Sequence, residues 1–302
     1  YTEKDNVLAD EIILVDKIPG SIIHDGGRLK FGPDEKLYIT TGDAGNADSA
    51  QDLNSLGGKI LRINQDGTIP SDNPFADSPV FSYGHRNPQG LDWDPVTGKL
   101  VSTEHGGFAH DEINIVEAGK NYGWPKVIGG EHDPDFVDPI LHTGDDTWAP
   151  SGATFYDSDN IPEWENKYFV ATLRGNHLRM LDLDVESNQV VSSEALFSNF
   201  GRLRDASMGP DGNLYILTSN QDGRGSPAKN DDKILRIVAI TSTSPSLLKD
   251  ETIENSEQDK IEEFDYGTNL QTNDISIWVL ITAIVIGITI GIFYAIKKTK
   301  RK

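Results

Sequence analysis

Phe31-Gly-Pro-Asp-Glu-Lys-Leu-Tyr-Ile-Thr-Thr41 and Met208-Gly-Pro-Asp-Gly-Asn-Leu-Tyr-Ile-Leu-Thr218 are two copies of one unit, and their recurrence decides the fold. Each copy leads a strand end through a Gly-Pro-Asp turn into a run of apolar and β-branched residues, the pattern of strand, tight turn, strand. Trp93-Asp-Pro-Val-Thr-Gly-Lys-Leu-Val-Ser-Thr103 is a looser copy, and Phe155-Tyr-Asp-Ser-Asp159 followed by Tyr168-Phe-Val-Ala-Thr172 a weaker one. Lys59-Ile-Leu-Arg-Ile63 likewise returns as Lys233-Ile-Leu-Arg-Ile237. Pro33, Pro95 and Pro210 stand 62 and 115 residues apart, so with the weaker copy counted the period is near 60. That is the size of a four-stranded propeller blade carrying a long loop.

Working outward, Ile12-Ile-Leu-Val15 adds another β-type run, and no helical periodicity is sustained anywhere in residues 1–240. The reading is all-β, with about four propeller blades in that stretch. A closed propeller usually needs more, because an open end leaves sheet edges and apolar faces unpaired. The expectation is therefore that further blades precede Tyr1, which is neither a methionine nor the start of a charged and apolar leader.

Beyond the repeats the composition changes twice. Residues 241–274 open with Thr241-Ser-Thr-Ser-Pro-Ser246 and hold nine acids against two lysines, too little apolar surface to offset the entropy of ordering, so they read as a flexible acidic stalk. Ile275 to Ile296 then runs for 22 residues without a charge, roughly 33 Å as a helix and enough to cross a bilayer. Trp278 and Tyr294 sit near its ends, and Lys297, Lys298, Lys300, Arg301 and Lys302 follow. A basic flank marks the cytoplasmic side, so residues 297–302 are expected inside and the body outside, anchored to the membrane by one C-terminal transmembrane helix.

The chain as a whole has 48 acidic against 27 basic residues in 302, a net charge of −21, and no cysteine. With the five terminal charges removed, residues 1–296 carry −26. Such a body repels phosphate backbones, so no nucleic acid partner is expected. The missing thiols exclude a cysteine nucleophile and a thiolate metal site, while abundant carboxylates suit hard cations such as calcium.

Several loops beside the repeats hold more polar residues than blade packing requires: His24-Asp-Gly-Gly-Arg28, Gly42-Asp-Ala-Gly45, Gly84-His-Arg-Asn-Pro-Gln-Gly90, Glu104-His-Gly-Gly107, Asp111-Glu-Ile-Asn114, Asn121-Tyr-Gly-Trp-Pro125, Thr172-Leu-Arg-Gly175 and Gly201-Arg-Leu-Arg-Asp205. Each stands at a comparable place in its repeat, so closure gathers them on one face, where propellers usually carry function. An imidazole such as that of His24 is suited to take a hydroxyl proton. Arg86, Arg174, Arg202 and Arg204, from three separated loops, together suit a carboxylate or a reduced quinone. Asp111 and Glu112 offer oxygen ligands to calcium. No Gly-rich nucleotide loop opening a helix and no Gly-x-Ser-x-Gly elbow is present.

In this order the motifs His24-x-Gly-Gly-Arg-Leu, Phe31-Gly-Pro-Asp, Gly42-Asp-Ala-Gly, Gly84-His-Arg-Asn-Pro-Gln-Gly-Leu, Glu104-His-Gly, Asp111-Glu-Ile-Asn and Asn121-Tyr-Gly-Trp-Pro resemble the soluble glucose/sorbosone dehydrogenase family, from about His24 to Ile237. The resemblance implies a six-bladed propeller that oxidises the C1 hydroxyl of aldose sugars to lactones with pyrroloquinoline quinone (PQQ) and calcium (Ca2+), passing electrons to an acceptor the motifs leave unspecified. It makes His24 the general base and gives Arg86 the charge growing on the accepting oxygen. Asp43, Arg86, Asn87, Arg174, Arg202 and Arg204 become the quinone and substrate shell. Backbone oxygens of Gly106 and Gly107 are implied to hold the cofactor calcium, and Asp111, Glu112 and Tyr122 a second, structural one. The sequence departs from the family pattern at Gly107, where proline is common, at Arg174, where some members have lysine, and at Ile23, where some place an aspartate. Two competing readings are a non-catalytic cell-surface propeller that binds sugars or proteins, and a calcium-dependent lactonase-like hydrolase. Retention of the base, the arginines and the calcium loop together favours the dehydrogenase.

Overall fold

Strand formation follows the repeats in this computed structural model, which describes residues 1–239. The expected stalk (241–274), transmembrane helix (275–296) and basic tail (297–302) lie outside the described residues. A short hairpin of β1 (Thr2–Lys4) and β2 (Val7–Ala9) comes first. Four antiparallel sheets follow in chain order, each with consecutive strands paired. The first holds β3 (Leu29–Phe31), β4 (Leu37–Thr41), β5 (Lys59–Ile63) and β6 (Val80–Tyr83), and the second β7 (Pro88–Trp93), β8 (Leu100–Glu104), β9 (Glu112–Val116) and β10 (Leu141–His142). The third holds β11 (Pro150–Phe155), β12 (Tyr168–Thr172), β13 (Leu178–Asp184) and β14 (Gln189–Leu196), and the fourth β15 (Leu203–Met208), β16 (Leu214–Thr218) and β17 (Ile234–Ile237). These are blade-like meanders whose opening strands are neighbours: β11 lies between β7 and β15, and β3 touches β7.

The repeat motifs bind to one another, which is why they travel together. In the first sheet the Gly32 amide donates to the Lys36 carbonyl at 2.9 Å and the Tyr38 hydroxyl to Asp34 at 3.0 Å; in the fourth, Gly209 donates to Asn213 at 2.9 Å and Tyr215 to Asp211 at 3.0 Å. A Cβ on Gly32 would lie 2.8 Å from the Tyr38 ring, and one on Gly209 2.3 Å from the Tyr215 ring, so only glycine admits the tyrosine. The arginine of the second motif closes the unit: Arg62 on β5 reaches Asp34 at 2.9 Å, and Arg236 on β17 reaches Asp211 at 3.6 Å.

The apolar residues of each sheet are buried against the next. Tyr38, Ile60, Leu91 and Leu100 pack between the first and second sheets, Val101, Ile113, Phe155 and Tyr168 between the second and third, and Phe169, Leu178, Leu203 and Leu214 between the third and fourth. Ion pairs add ties between sheets. Arg28 makes a bidentate pair with Asp205 at 3.0 and 2.9 Å, and Lys30 meets Asp92 at 2.6 Å.

One expected strand does not form. Ile12–Val15 is irregular: Val15 packs on the β4–β6 core, while Ile12 and Ile13 are exposed. No neighbouring strand edge is paired with it, so its β propensity has no ladder to join. Among the described residues no helix is long and apolar enough to cross a membrane.

Candidate active site

Six of the eight loops singled out in the sequence border one cavity of about 840 Å³; residues 42–45 and 121–125 contribute nothing to its wall. It is bordered by His24, Arg86, Asn87, Gly106, Asp111, Arg174, Arg202 and Arg204 among others. Asp43, Gly107, Glu112 and Tyr122 are not on its wall.

His24 stands at the rim with its backbone in the left-handed region (φ +59°), a conformation that costs energy for any residue with a Cβ and is held here by the Ala44 amide donating to its carbonyl at 3.0 Å. Its Nδ1 lies 2.8 Å from Oδ1 of Asp43, so the ring is oriented with the proton on Nδ1 and Nε2 left to accept. Asp43 is 2% exposed, and its other contacts, from the Gly45 amide (2.8 Å) and the Trp124 indole N–H (2.9 Å), fix it from behind. The structure therefore puts Asp43 in the layer behind His24 rather than against a ligand.

Arg86 crosses the floor. Its guanidinium stacks over Trp124 at 5.2 Å and donates to the His105 carbonyl at 3.2 Å, while its buried Nε has no partner. Burial lowers its pKa, opposed by the charges of Asp43, Glu104 and Asp111. Glu104 accepts from the backbone amides of Arg86 and Asn87, which sets the loop carrying both side chains. Arg202 is clamped by Asp222 (2.9 and 2.8 Å) and the Leu173 carbonyl (3.0 Å), and Arg204 leans on Gln89 (3.4 Å) and Asp222 (3.5 Å).

His105 is a cavity residue that sequence reasoning missed. Asn87 Nδ2 approaches its Nδ1 at 3.3 Å, and Nε2 is buried without a partner. Burial first, and then the positive charges of Arg86 and Arg204, push its pKa down to about 3, so the imidazole stays neutral. Its signal was the Glu104-His-Gly motif, but a histidine between glutamate and glycine says nothing about burial.

The residues expected at calcium are engaged separately. Gly106 needs to be glycine, because a Cβ there would lie 1.9 Å from the His110 carbonyl oxygen; a Cβ on Gly107 would lie 2.7 Å from the Trp124 ring. Asp111 accepts from the amides of Gly106 (3.1 Å), Trp148 (2.7 Å) and Ala149 (2.8 Å), joining two loops of the cavity wall. The Tyr122 hydroxyl donates to the Ile115 carbonyl at 2.7 Å and accepts from the Glu117 amide at 2.8 Å, so it is fully used. Glu112 is different. It faces Glu104 across the β8–β9 ladder, and burial followed by that neighbouring charge pushes its pKa up to about 8. Nearby Asn114 Oδ1 is buried without a partner. Glu112 accepts from Asn114 Nδ2 at 3.1 Å and from the Gly129 amide at 3.0 Å, and no cluster of three or more acidic or histidine side chains surrounds it among the described residues; its oxygens are of the type a hard cation takes, but fewer than calcium needs.

A second His–acid chain, Ser82···His85···Glu104, links at 2.8 and 2.9 Å, but all three residues are buried and none borders the cavity. A hydrolytic triad needs an accessible hydroxyl, so this chain is structural.

The model of the glucose/sorbosone dehydrogenase family matches residues 1–236. The chain is 37% identical over 219 residues to the aldose sugar dehydrogenase of Escherichia coli, covering 66% of this chain and 58% of that protein. It is 30% identical over 320 residues to quinoprotein glucose dehydrogenase B of Acinetobacter calcoaceticus, covering 78% and 66%. It therefore spans less than two thirds of either relative. Among solved structures, the PQQ-bound aldose sugar dehydrogenase of Streptomyces coelicolor superposes with a TM-score of 0.65 at 40% identity, covering 72% of this chain and 63% of that one. The chain belongs to the glucose/sorbosone dehydrogenase family.

Proposed function

We propose that this protein is a PQQ- and calcium-dependent dehydrogenase that oxidises the C1 hydroxyl of aldoses to lactones. The observation that carries the reading is the His24–Asp43 pair at the rim of a cavity lined by five of the chain's arginines. The lining fits a flat, polyanionic quinone: Arg174, Arg202 and Arg204 offer guanidinium forks to carboxylates, and Arg86 brings a cation with an unsatisfied Nε to the floor. PQQ, when bound, supplies the quinone that takes the hydride. His24 Nε2 removes the C1 hydroxyl proton, and Asp43 holds the tautomer needed and stabilises the imidazolium that results. Arg86 supplies positive charge at low solvent exposure, where it acts most strongly on a developing oxyanion. Gly106 and Gly107 are the proposed ligands of the cofactor calcium, and Glu112 is one proposed ligand of a structural one.

The same proposal extends to topology. The uncharged segment 275–296 and the basic tail support a body displayed outside the membrane, behind an acidic stalk. Protease accessibility of the body in intact cells checks it: degradation without lysis is expected, and full protection rejects it.

Reconstitution tests the activity. Purified protein given PQQ and calcium is expected to reduce an artificial dye when supplied with aldoses. Saturable PQQ binding with no dye reduction across a panel of sugars would sink the assignment.

A further inference from the structure

A second cleft, of about 620 Å³, opens beside the cavity and shares Arg174, Arg202 and Arg224 with it. The rest of its lining is amides, hydroxyls and glycines, Asn176, Asn199 and Ser226 among them, with no carboxylate and no large apolar side chain. In a chain of net charge −21 such a lining is out of character.

The three arginines differ in what they already hold. Arg202 is partly engaged, by Asp222 and the Leu173 carbonyl. Arg174 and Arg224 make no ion pair and no side-chain hydrogen bond among the described residues. Arg224 is presented by its backbone: its amide donates to Asp222 Oδ1 at 2.9 Å, and Gly223 beside it sits at φ +82°. Two uncompensated guanidinium forks suit a carboxylate or sulfate, and surrounding amides and hydroxyls suit the hydroxyls of a sugar ring. We propose that this cleft is a subsite for an anionic sugar unit, a uronate in the first place, attached to the aldose whose C1 enters the neighbouring cavity. Arg224 binds its acidic group and makes the protein selective for acidic oligosaccharides, while Arg174, on the border of both spaces, serves the quinone. The proposal rests on the aldose reading of the cavity; Arg224 borders both spaces but has no part in the proposed quinone shell, so it reports on the cleft.

Calorimetric titration of the purified full chain tests it, using a disaccharide with glucuronic acid on a reducing glucose, the neutral counterpart with glucose in both positions, and a sulfated counterpart. One charge-assisted fork corresponds to a preference of about tenfold or more for the acidic disaccharide. Raising the salt is expected to shrink that preference, and Arg224→Gln to abolish it while leaving affinity for the neutral disaccharide unchanged. Arg224→Lys, which keeps the charge without the fork, is expected to fall between. Stronger binding of the sulfated than of the glucuronic form assigns the cleft to sulfated sugars and overturns the uronate choice. Equal affinity for acidic and neutral disaccharides, or a preference that survives Arg224→Gln, overturns the subsite. So does a loss of PQQ affinity in Arg224→Gln with discrimination intact, because the cleft would then serve the cofactor. Binding selectivity without dye reduction upholds the subsite and sinks the dehydrogenase reading, whereas dye reduction without selectivity does the reverse.

Discussion

His24 and His85 are held by almost the same bond, Nδ1 to a carboxylate oxygen at 2.8 Å and 2.9 Å. What separates them is the other ring nitrogen. Nε2 of His85 meets Ser82 at 2.8 Å, and its ring stacks on Tyr122 at 4.6 Å with no exposed surface. His24 keeps 18% of its side chain exposed at a cavity rim, and its Nε2 has no hydrogen-bond partner among the described residues. A carboxylate behind an imidazole is thus only half of a catalytic device; the free face decides whether the pair does chemistry or holds the fold.

Exchanging the two roles is the severest test of that contrast. His24→Ala is expected to lower kcat by about 10² to 10⁴, the worth of a general base, with thermal stability nearly unchanged. A rate near normal would remove His24 from the mechanism. His85→Leu is expected to do the opposite, costing about 3–5 kcal/mol of stability because Glu104 loses a buried partner, or about 6–20 °C in Tm at about 2–4 °C per kcal/mol for a domain of this size. A variant as stable as the parent would show that the pair carries no structural load.

Lys59 extends the comparison to a buried group that makes no ion pair among the described residues, Asp52 acting on it only at a distance. Its ammonium donates to the carbonyls of Ser49 (2.7 Å), Ala50 (3.1 Å) and Gly57 (2.7 Å), and burial pushes its pKa down to about 8. Below pH 8 both folded and unfolded states carry the proton, and keeping the charge inside costs about 3 kcal/mol. Between pH 8 and about 10.5 the unfolded chain binds more protons than the folded one, so this contribution to stability rises with pH. Denaturation of the parent and of Lys59→Met across that window is expected to show a rise in the parent that the variant lacks; parallel curves would contradict it. Asp43→Asn is the mildest change. It keeps the shape but frees the His24 tautomer, and is expected to cost about 10- to 100-fold in kcat, by analogy with other carboxylates that orient an imidazole. An unchanged kcat would leave Asp43 with packing alone.

The Gly-Pro-Asp unit was legible because its logic is local: Gly32, Asp34 and Tyr38 contact one another within seven residues. The gathering of the polar loops was legible too, since each occupies the same place in its repeat. Ile12–Val15 misled because β propensity says nothing about whether a partner edge is free. The service of Asp43 to His24, the neutrality of His105 and the isolation of Arg224 were not legible, as each depends on which residues distant in sequence come near. Burial and the charges of distant arginines set the state of His105, and no window of sequence around it contains them.

The Arg28–Asp205 fork joins residues 177 positions apart. Every sheet must be in place before its two ends can meet, and closing so long a loop is entropically slow, so the fork belongs to the last events of folding rather than to its nucleus. A probe on this pair would report completion of the array of four sheets, while early protection would appear in hairpins such as β3–β4. Its removal should accordingly quicken unfolding and leave the rate of folding almost untouched.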